Sequence, residues 1–255
     1  VEAAAIVDNG LRPSSQEGVI LHCWNWSYSN IKKYMKDIAA SGYTSIQTSP
    51  VTQPKDYYWE GIAYGNVGIP DGTGGYEGNW WKVYQPVTMS ICDNGHTWFG
   101  TKAEFKAMCD EAHKYGIKVI VDVVPNHTTT QVDQVNKNLL DAVGGKENLY
   151  HANGFKEITK WGDRFECTTG QMGGLPDVNT ENKNFQDYFI KYLNDCIACG
   201  ADGFRYDTAK HIGLPDDPKD SKATENNFWP RVISEVTNAD KIFNYGEVLQ
   251  GDNER

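Results

Sequence analysis

The feature that most constrains this chain is an alternation: short, nearly continuous apolar runs recur between stretches whose apolar residues fall at helical spacing. A parallel strand buried on both faces reads as such a run, and the helix that carries the chain back reads with a period of about 3.6. The alternation therefore predicts βα units around a parallel sheet. Five strands are expected, at residues 18–24, 44–49, 118–124, 202–206 and 242–245. The intervening helices are marked by Ile31, Tyr34, Met35 and Ile38, by the capping box Thr101-x-x-Glu104 ahead of Phe105, Met108, Cys109 and Ala112, and by Phe185, Phe189, Tyr192, Leu193, Cys196 and Ile197 ahead of Gly200.

Two long interruptions break the rhythm. Residues 50–100, rich in Gly, Tyr and Trp, greatly exceed the about 2–6 residues of an ordinary βα connection, so they are read as a functional loop. Residues 128–175 show no βα period and are read as an inserted subdomain, leaving 1–127 and 176–255 for the sheet unit. A (β/α)8 barrel takes about 250 residues. This chain has 255 and reaches only its fifth strand, so either the fold is not a barrel or the sequence stops partway through one.

Composition narrows the partners. A formal net charge of −10 repels phosphate backbones and argues against nucleic acid. Mean hydropathy is −0.59, and no apolar run approaches the about 20 residues of a membrane span. Six scattered cysteines do not make a disulfide scaffold. Cys196 and Cys199 have C-x-x-C spacing, but they fall on the apolar side of a helical pattern with no second Cys/His pair, which favours helix packing over zinc. The acidic stretch 216–220 reads as solvated surface.

Polar residues gather at the C-terminal ends of successive strands: Asp122 with Asn126 and His127, then Arg205 and Asp207, then Glu247. In a barrel these ends share the catalytic face. Arg205 and Asp207 are two apart on a strand and point the same way, which makes either a structural ion pair or a supported nucleophile. Glu247 has no cation within four residues in the sequence. Trp80, Trp81 and Tyr84 are either core aromatics or, beside Gly72, Gly74, Gly75, Gly78 and Asn79, flat platforms for sugar rings, with Trp81 expected to face the cleft in preference to Trp80.

The motifs as an ordered set resemble glycoside hydrolase family 13, the α-amylase family, and most closely its secreted bacterial members. DVVPNH at 122–127, GLPDVN at 174–179, GFRYDTAKH at 203–211 and GEVLQ at 246–250 are similar to that family's signatures. ILHCWNWS at 20–27, IQTSP at 46–50 and WWKVYQP at 80–86 extend the likeness over nearly the whole chain.

The resemblance implies a retaining endo-hydrolase of α-1,4-glucans such as starch and glycogen, with Asp207 as nucleophile and Glu247 as acid/base. It implies sugar contacts by Trp81, Tyr84, Gln85, His127, Arg205, Lys210 and His211, with Asp122 as support. It further implies a calcium ion held by Asn126, Asp177 and the His211 carbonyl, and a secreted, monomeric protein. A glucanotransferase or α-glucosidase would use the same residues, and a non-catalytic glucan-binding protein would be expected to have lost Asp207, Glu247 or Arg205. The family's third carboxylate, beyond strand seven, has no counterpart before residue 255, so these residues by themselves are not expected to hydrolyse starch.

Overall fold

Parallel strands need a return path between them, and helices supply it throughout the computed structural model, which describes residues 14–55, 80–93 and 99–251. Strand β1 (Ile20–His22) leads to α1 (Tyr28–Ala40) and β2 (Ser45–Gln47). After the long interruption come α2 (Lys102–Lys114) and β5 (Lys118–Val123), then α6 (Lys183–Cys199), β6 (Gly203–Tyr206), α7 (Phe228–Ser234) and β7 (Phe243–Gly246). The five strands form one parallel sheet in the order β1-β2-β5-β6-β7, so sequential strands are neighbours.

Capping sets the helix ends. Ser27 accepts from the Asn30 N–H ahead of α1, Thr101 and Glu104 form the expected reciprocal box ahead of α2, and Asn182 caps α6, which ends on Gly200 at φ 119°. A side chain at Gly200 would also collide with the Cβ of Cys109, 2.6 Å from where its own Cβ would stand, so α2 and α6 approach closely there. The buried stripes follow the sequence reading, except that Ile197 is half-buried and Tyr34 is exposed, its ring near-perpendicular to that of Trp26. All six cysteines are buried, Cys196 and Cys199 within the helix layer.

Side chains alternate across the sheet. Phe204 and Tyr206 of β6 point under the helices, where Tyr206 meets Trp229 edge-on at 5.0 Å and Phe189 packs on Phe185, Tyr192 and Phe228. Arg205 points to the other face, level with Asp122 on β5 and Tyr245 on β7. That face is concave: the Tyr245 hydroxyl donates to the Gln47 side-chain oxygen on β2. On a flat sheet three strand spacings would separate β2 from β7 by about 14 Å, so the strands must curl around the residues between them.

The described part of the long interruption contains a strand pair that the sequence did not suggest. β3 (Thr52–Pro54) and β4 (Pro86–Ile91) pair antiparallel, with a helical turn at Trp80–Tyr84 between them. The glycines at 72, 74, 75 and 78 and Asn79 lie outside the described residues. Between β5 and α6 the segment contains α3 (Lys137–Val143), α4 (Lys146–Leu149) and α5 (Arg164–Thr169), joined by isolated bridges such as His127 with Asp177.

At the base of the sheet, His113 on α2 shares Asp202 with the Val119 N–H, at 2.7 and 2.9 Å. The Asp202 hydrogen bond raises the His113 pKa although partial burial opposes it. A raised folded-state pKa means that this contribution to stability is complete below the unfolded value of about 6.5 and fades as pH climbs through the raised one. Equilibrium unfolding of the parent and of His113→Gln, compared across that pH range, should show the parent's advantage shrinking as pH increases. An advantage that is constant or grows with pH would refute the assignment.

Candidate active-site cleft

Pairing of β5, β6 and β7 in register brings the polar ends of three strands together. The Arg205 Nη1 group donates to both oxygens of Asp122, at 2.9 and 3.1 Å, and to Asp207 Oδ1 at 2.8 Å. Asp122 is wholly buried, and Tyr84 donates its hydroxyl to the same carboxylate at 2.8 Å. Burial pushes the Asp122 carboxyl up to about 7, against the pull of Arg205 and of the Tyr84 hydroxyl. Burial also pushes the Tyr84 phenol far up, keeping it a donor. For Arg205 burial works against the charge, but Asp122 and Asp207 outweigh it and raise the pKa.

Asp207 and Glu247 follow β6 and β7 and open into a cleft of about 520 Å³. Its lining includes Trp24, Trp80 and Tyr84, Lys210 and His211, and Met172 and Leu175 from between β5 and α6. A second cleft of about 560 Å³ runs past Tyr206, Trp229 and Tyr245 and contains neither Asp207 nor Glu247, so its size does not make it the reactive site.

Thr208, which sequence reasoning passed over, connects the two carboxylates. Its backbone N–H donates to Glu247 Oε2 at 2.9 Å and its hydroxyl to Asp207 Oδ2 at 2.7 Å. Neighbouring backbone bonds, from Ala209 N–H to the Glu247 carbonyl and from Glu247 N–H to the Tyr206 carbonyl, clamp the two strand ends together. Gly246 permits the approach, since a Cβ there would stand 2.5 Å from that of Ala209.

The aromatic segment behaves differently from the sequence expectation at two positions. Trp80, 43% exposed, lines the cleft and packs on Trp24 and Tyr84. Trp81 instead lies against the ammonium groups of Lys55 and Lys82, at 4.9 and 5.8 Å. Successive side chains on a helical turn diverge by about 100–120°, so the two indoles cannot share a face. Gln85 is outside the lining; its side-chain oxygen accepts from Thr129 and Thr130 and fastens the turn to the following segment. Trp161, unnoticed in the sequence, is 37% exposed with its ring edge-on to His211 at 5.7 Å and 5.9 Å from the Lys210 ammonium.

The three residues expected to hold a cation do converge. The outer amide atom of Asn126 lies 3.3 Å from Asp177 Oδ1 and 3.1 Å from the His211 carbonyl oxygen. An amide nitrogen there would donate to both, whereas an amide oxygen would leave three acceptors facing one another. His127 decides between them. Its Nε2 lies 2.9 Å from the Tyr84 carbonyl and must carry a proton, and burial lowers its pKa, so the ring is neutral and Nδ1 accepts. The Asn126 atom 3.3 Å from Nδ1 is then the nitrogen, and the oxygen faces Asp177 and His211. Three converging oxygens suit a hard cation. His151, also missed, fixes the remaining Asp177 oxygen: buried between Asp177 and Glu181 at 2.6 Å from each, it is pulled down by burial but raised by the two carboxylates to about 10.

Residues 92–255 match the α-amylase catalytic-domain family. Over 97% of its length the chain is 45% identical to an α-amylase from Butyrivibrio fibrisolvens, of which it covers 25%; over 94% it is 36% identical to an α-amylase from Clostridium acetobutylicum, of which it covers 29%. The chain thus spans about a quarter of the length of the curated relatives it matches. Among solved structures, α-amylase I from Eisenia fetida superposes with a TM-score of 0.66 at 20% identity, covering 93% of this chain and 46% of that one. An α-amylase from Geobacillus thermoleovorans complexed with acarbose gives 0.64 at 24% identity over 92% and 47%. These likenesses define the fold as five βα units of a (β/α)8 barrel, with an insertion after the third barrel strand, β5.

Arg205 is the sole counter-charge drawn to the buried Asp122 carboxylate among the described contacts. Arg205→Met should therefore cost about 3–5 kcal/mol of unfolding free energy, the usual result of stranding a buried charge. Adding Asp122→Asn removes that charge and should recover part of the loss. Urea denaturation of the single and double variants reads both numbers; an unaffected single variant, or a double variant no better than the single, would contradict this account.

Proposed function

This chain belongs to the α-amylase family, and from that premise we propose that it carries the nucleophile and the acid/base of a retaining endo-hydrolase of α-1,4-glucans in starch and glycogen. The observation that carries the proposal is the pair Asp207 and Glu247, side by side in one aromatic-lined cleft and hydrogen-bonded to the same residue. Asp207 attacks the anomeric carbon while Glu247 protonates the departing glycosidic oxygen, and Glu247 then takes a proton from the water that releases the sugar. Arg205 supports the nucleophile and Asp122 supports Arg205.

Tyr84 and Trp80 offer ring faces to the sugars on the non-reducing side of the cut. Lys210, His211 and the nearby Trp161 meet the leaving sugar. Burial lowers the His211 pKa, and its Nδ1 sits 2.8 Å from the Cys167 carbonyl, so the neutral ring keeps Nε2 as an acceptor for a sugar hydroxyl. His127 and Gln85 brace the subsite, and a sugar hydroxyl that reached His127 Nε2 would replace its bond to the Tyr84 carbonyl.

We assign the converging oxygens of Asn126, Asp177 and His211 to calcium, which would join the inserted segment 128–175 to the barrel portions 1–127 and 176–255. From the family resemblance the protein is read as a secreted monomer. Among the described residues no helix is long and apolar enough to cross a membrane.

Two measurements on the complete polypeptide that contains these residues test the reading. NMR of fresh hydrolysate should show α-configured products from internal cuts in amylose, whereas glucose by itself or transfer products would favour an α-glucosidase or a glucanotransferase. Asp207→Asn should abolish turnover, and Glu247→Gln should lower it by about 10²–10⁴-fold on natural glucans. Initial β-anomers, or either variant retaining near-parental rates, would overturn the roles.

Calcium should raise the melting temperature, with a gain of about 2.7 kcal/mol at a hundredfold excess over its Kd. Chelator should reverse the gain, and Asp177→Ala should remove it. Melts insensitive to calcium would eliminate the ion.

A further inference from the structure

Among the described residues, three that are not glycine have positive φ: Asn25, Asn238 and Thr208. Asparagine tolerates the left-handed region, but a β-branched threonine at φ 56°, ψ 35° is a costly choice. The turn itself is explained by the bonds that bind it to the residue after β7, where the Thr208 N–H reaches Glu247 Oε2 and the Ala209 N–H reaches the Glu247 carbonyl. Glycine would make those bonds with less strain. What threonine adds is a buried hydroxyl, 2.7 Å from Asp207 Oδ2. Arg205 already holds Oδ1 at 2.8 Å, so the hydroxyl completes the restraint of the Asp207 carboxylate.

We propose that Thr208 is a positioning residue that sets the balance between the two chemical steps, its hydroxyl holding Asp207 and its N–H holding Glu247; this rests on the roles assigned to those carboxylates above. In the first step an Asp207 oxygen forms a bond to the anomeric carbon, the bond to the glycosidic oxygen breaks, and that oxygen takes the Glu247 proton. In the second, water bonds to the anomeric carbon and gives a proton to Glu247, while the carbon–Asp207 bond breaks and its electron pair returns to the carboxylate. A hydrogen bond donated to a carboxylate is stronger than one donated to the neutral ester. The Thr208 hydroxyl therefore restrains attack in the first step and makes Asp207 a better leaving group in the second.

The test uses the complete polypeptide and an aryl α-maltoside whose phenol departs without protonation. Thr208→Val keeps the branching and the N–H but not the hydroxyl, and Thr208→Gly removes the hydroxyl while relieving the backbone, which guards against a Val variant that fails to fold. Both should slow the second step by about 10–100-fold, the worth of a hydrogen bond to a charged group. The slowdown appears as a burst approaching one phenol per enzyme and as a kcat and KM that fall together. Thr208→Ser should behave like the parent. Parental kinetics without a burst in Val and Gly, or a Ser variant as impaired as Val, would overturn the proposal. A parent that releases no α-configured product would instead bring down the underlying functional reading, whatever the Thr208 variants do.

Discussion

One guanidinium nitrogen organises the concave face of this sheet. Arg205 Nη1 is shared by a fully buried carboxylate on β5 and a partly exposed one after β6, so β5 and β6 are joined by charge as well as by the backbone ladder. Taking Asp122 out of water costs several kcal/mol that attraction in a low-dielectric interior offsets only if the geometry is good. The geometry here is good because the register sets Asp122 opposite Arg205, and Tyr84 supplies one more donor from outside the sheet. Everything downstream inherits this placement: the orientation of Asp207, the approach of Thr208, and the position of the aromatic turn that carries Tyr84.

Much of the fold was legible because the strands are buried on both sides and the helices are cleanly capped. Residues 118–124 could hardly be anything but a central strand, and the box at Thr101 and Glu104 marks a helix start at single-residue resolution. The antiparallel β3–β4 pair was hidden because its strands lie far apart in sequence and only three residues of β3 take part. Helices α3 to α5 and α7 are too short for helical periodicity to stand out from chance, at four to seven residues each. The curl of the sheet, a property of side chains meeting across strands, has no local sequence signature at all.

The candidate site divides along the same line. Residues whose chemistry is carried by their type, such as Asp207, Glu247 and Arg205, were found from position and motif. Residues whose importance comes from where the backbone puts them were not. Thr208 matters because of a left-handed turn, His151 because two carboxylates 26 and 30 residues away close on its ring, and Trp161 because the inserted segment folds back over His211. The choice between Trp80 and Trp81 was likewise a matter of helical phase, which sequence leaves undetermined over a single turn.

The contact between Tyr245 and Gln47 joins residues 198 positions apart, and that span bears on the order in which the chain assembles. The closure entropy of a loop grows with the logarithm of its length, and every βα unit between these residues closes a far shorter loop. Local units should therefore form early, and the contact from the β7 edge across to β2 should be among the last events of folding. The same logic runs backwards in the native state: the elements that close last are those that open at least cost. Curvature of the sheet, and with it the shape of the cleft floor, is thus the most slowly acquired and most readily surrendered part of the architecture.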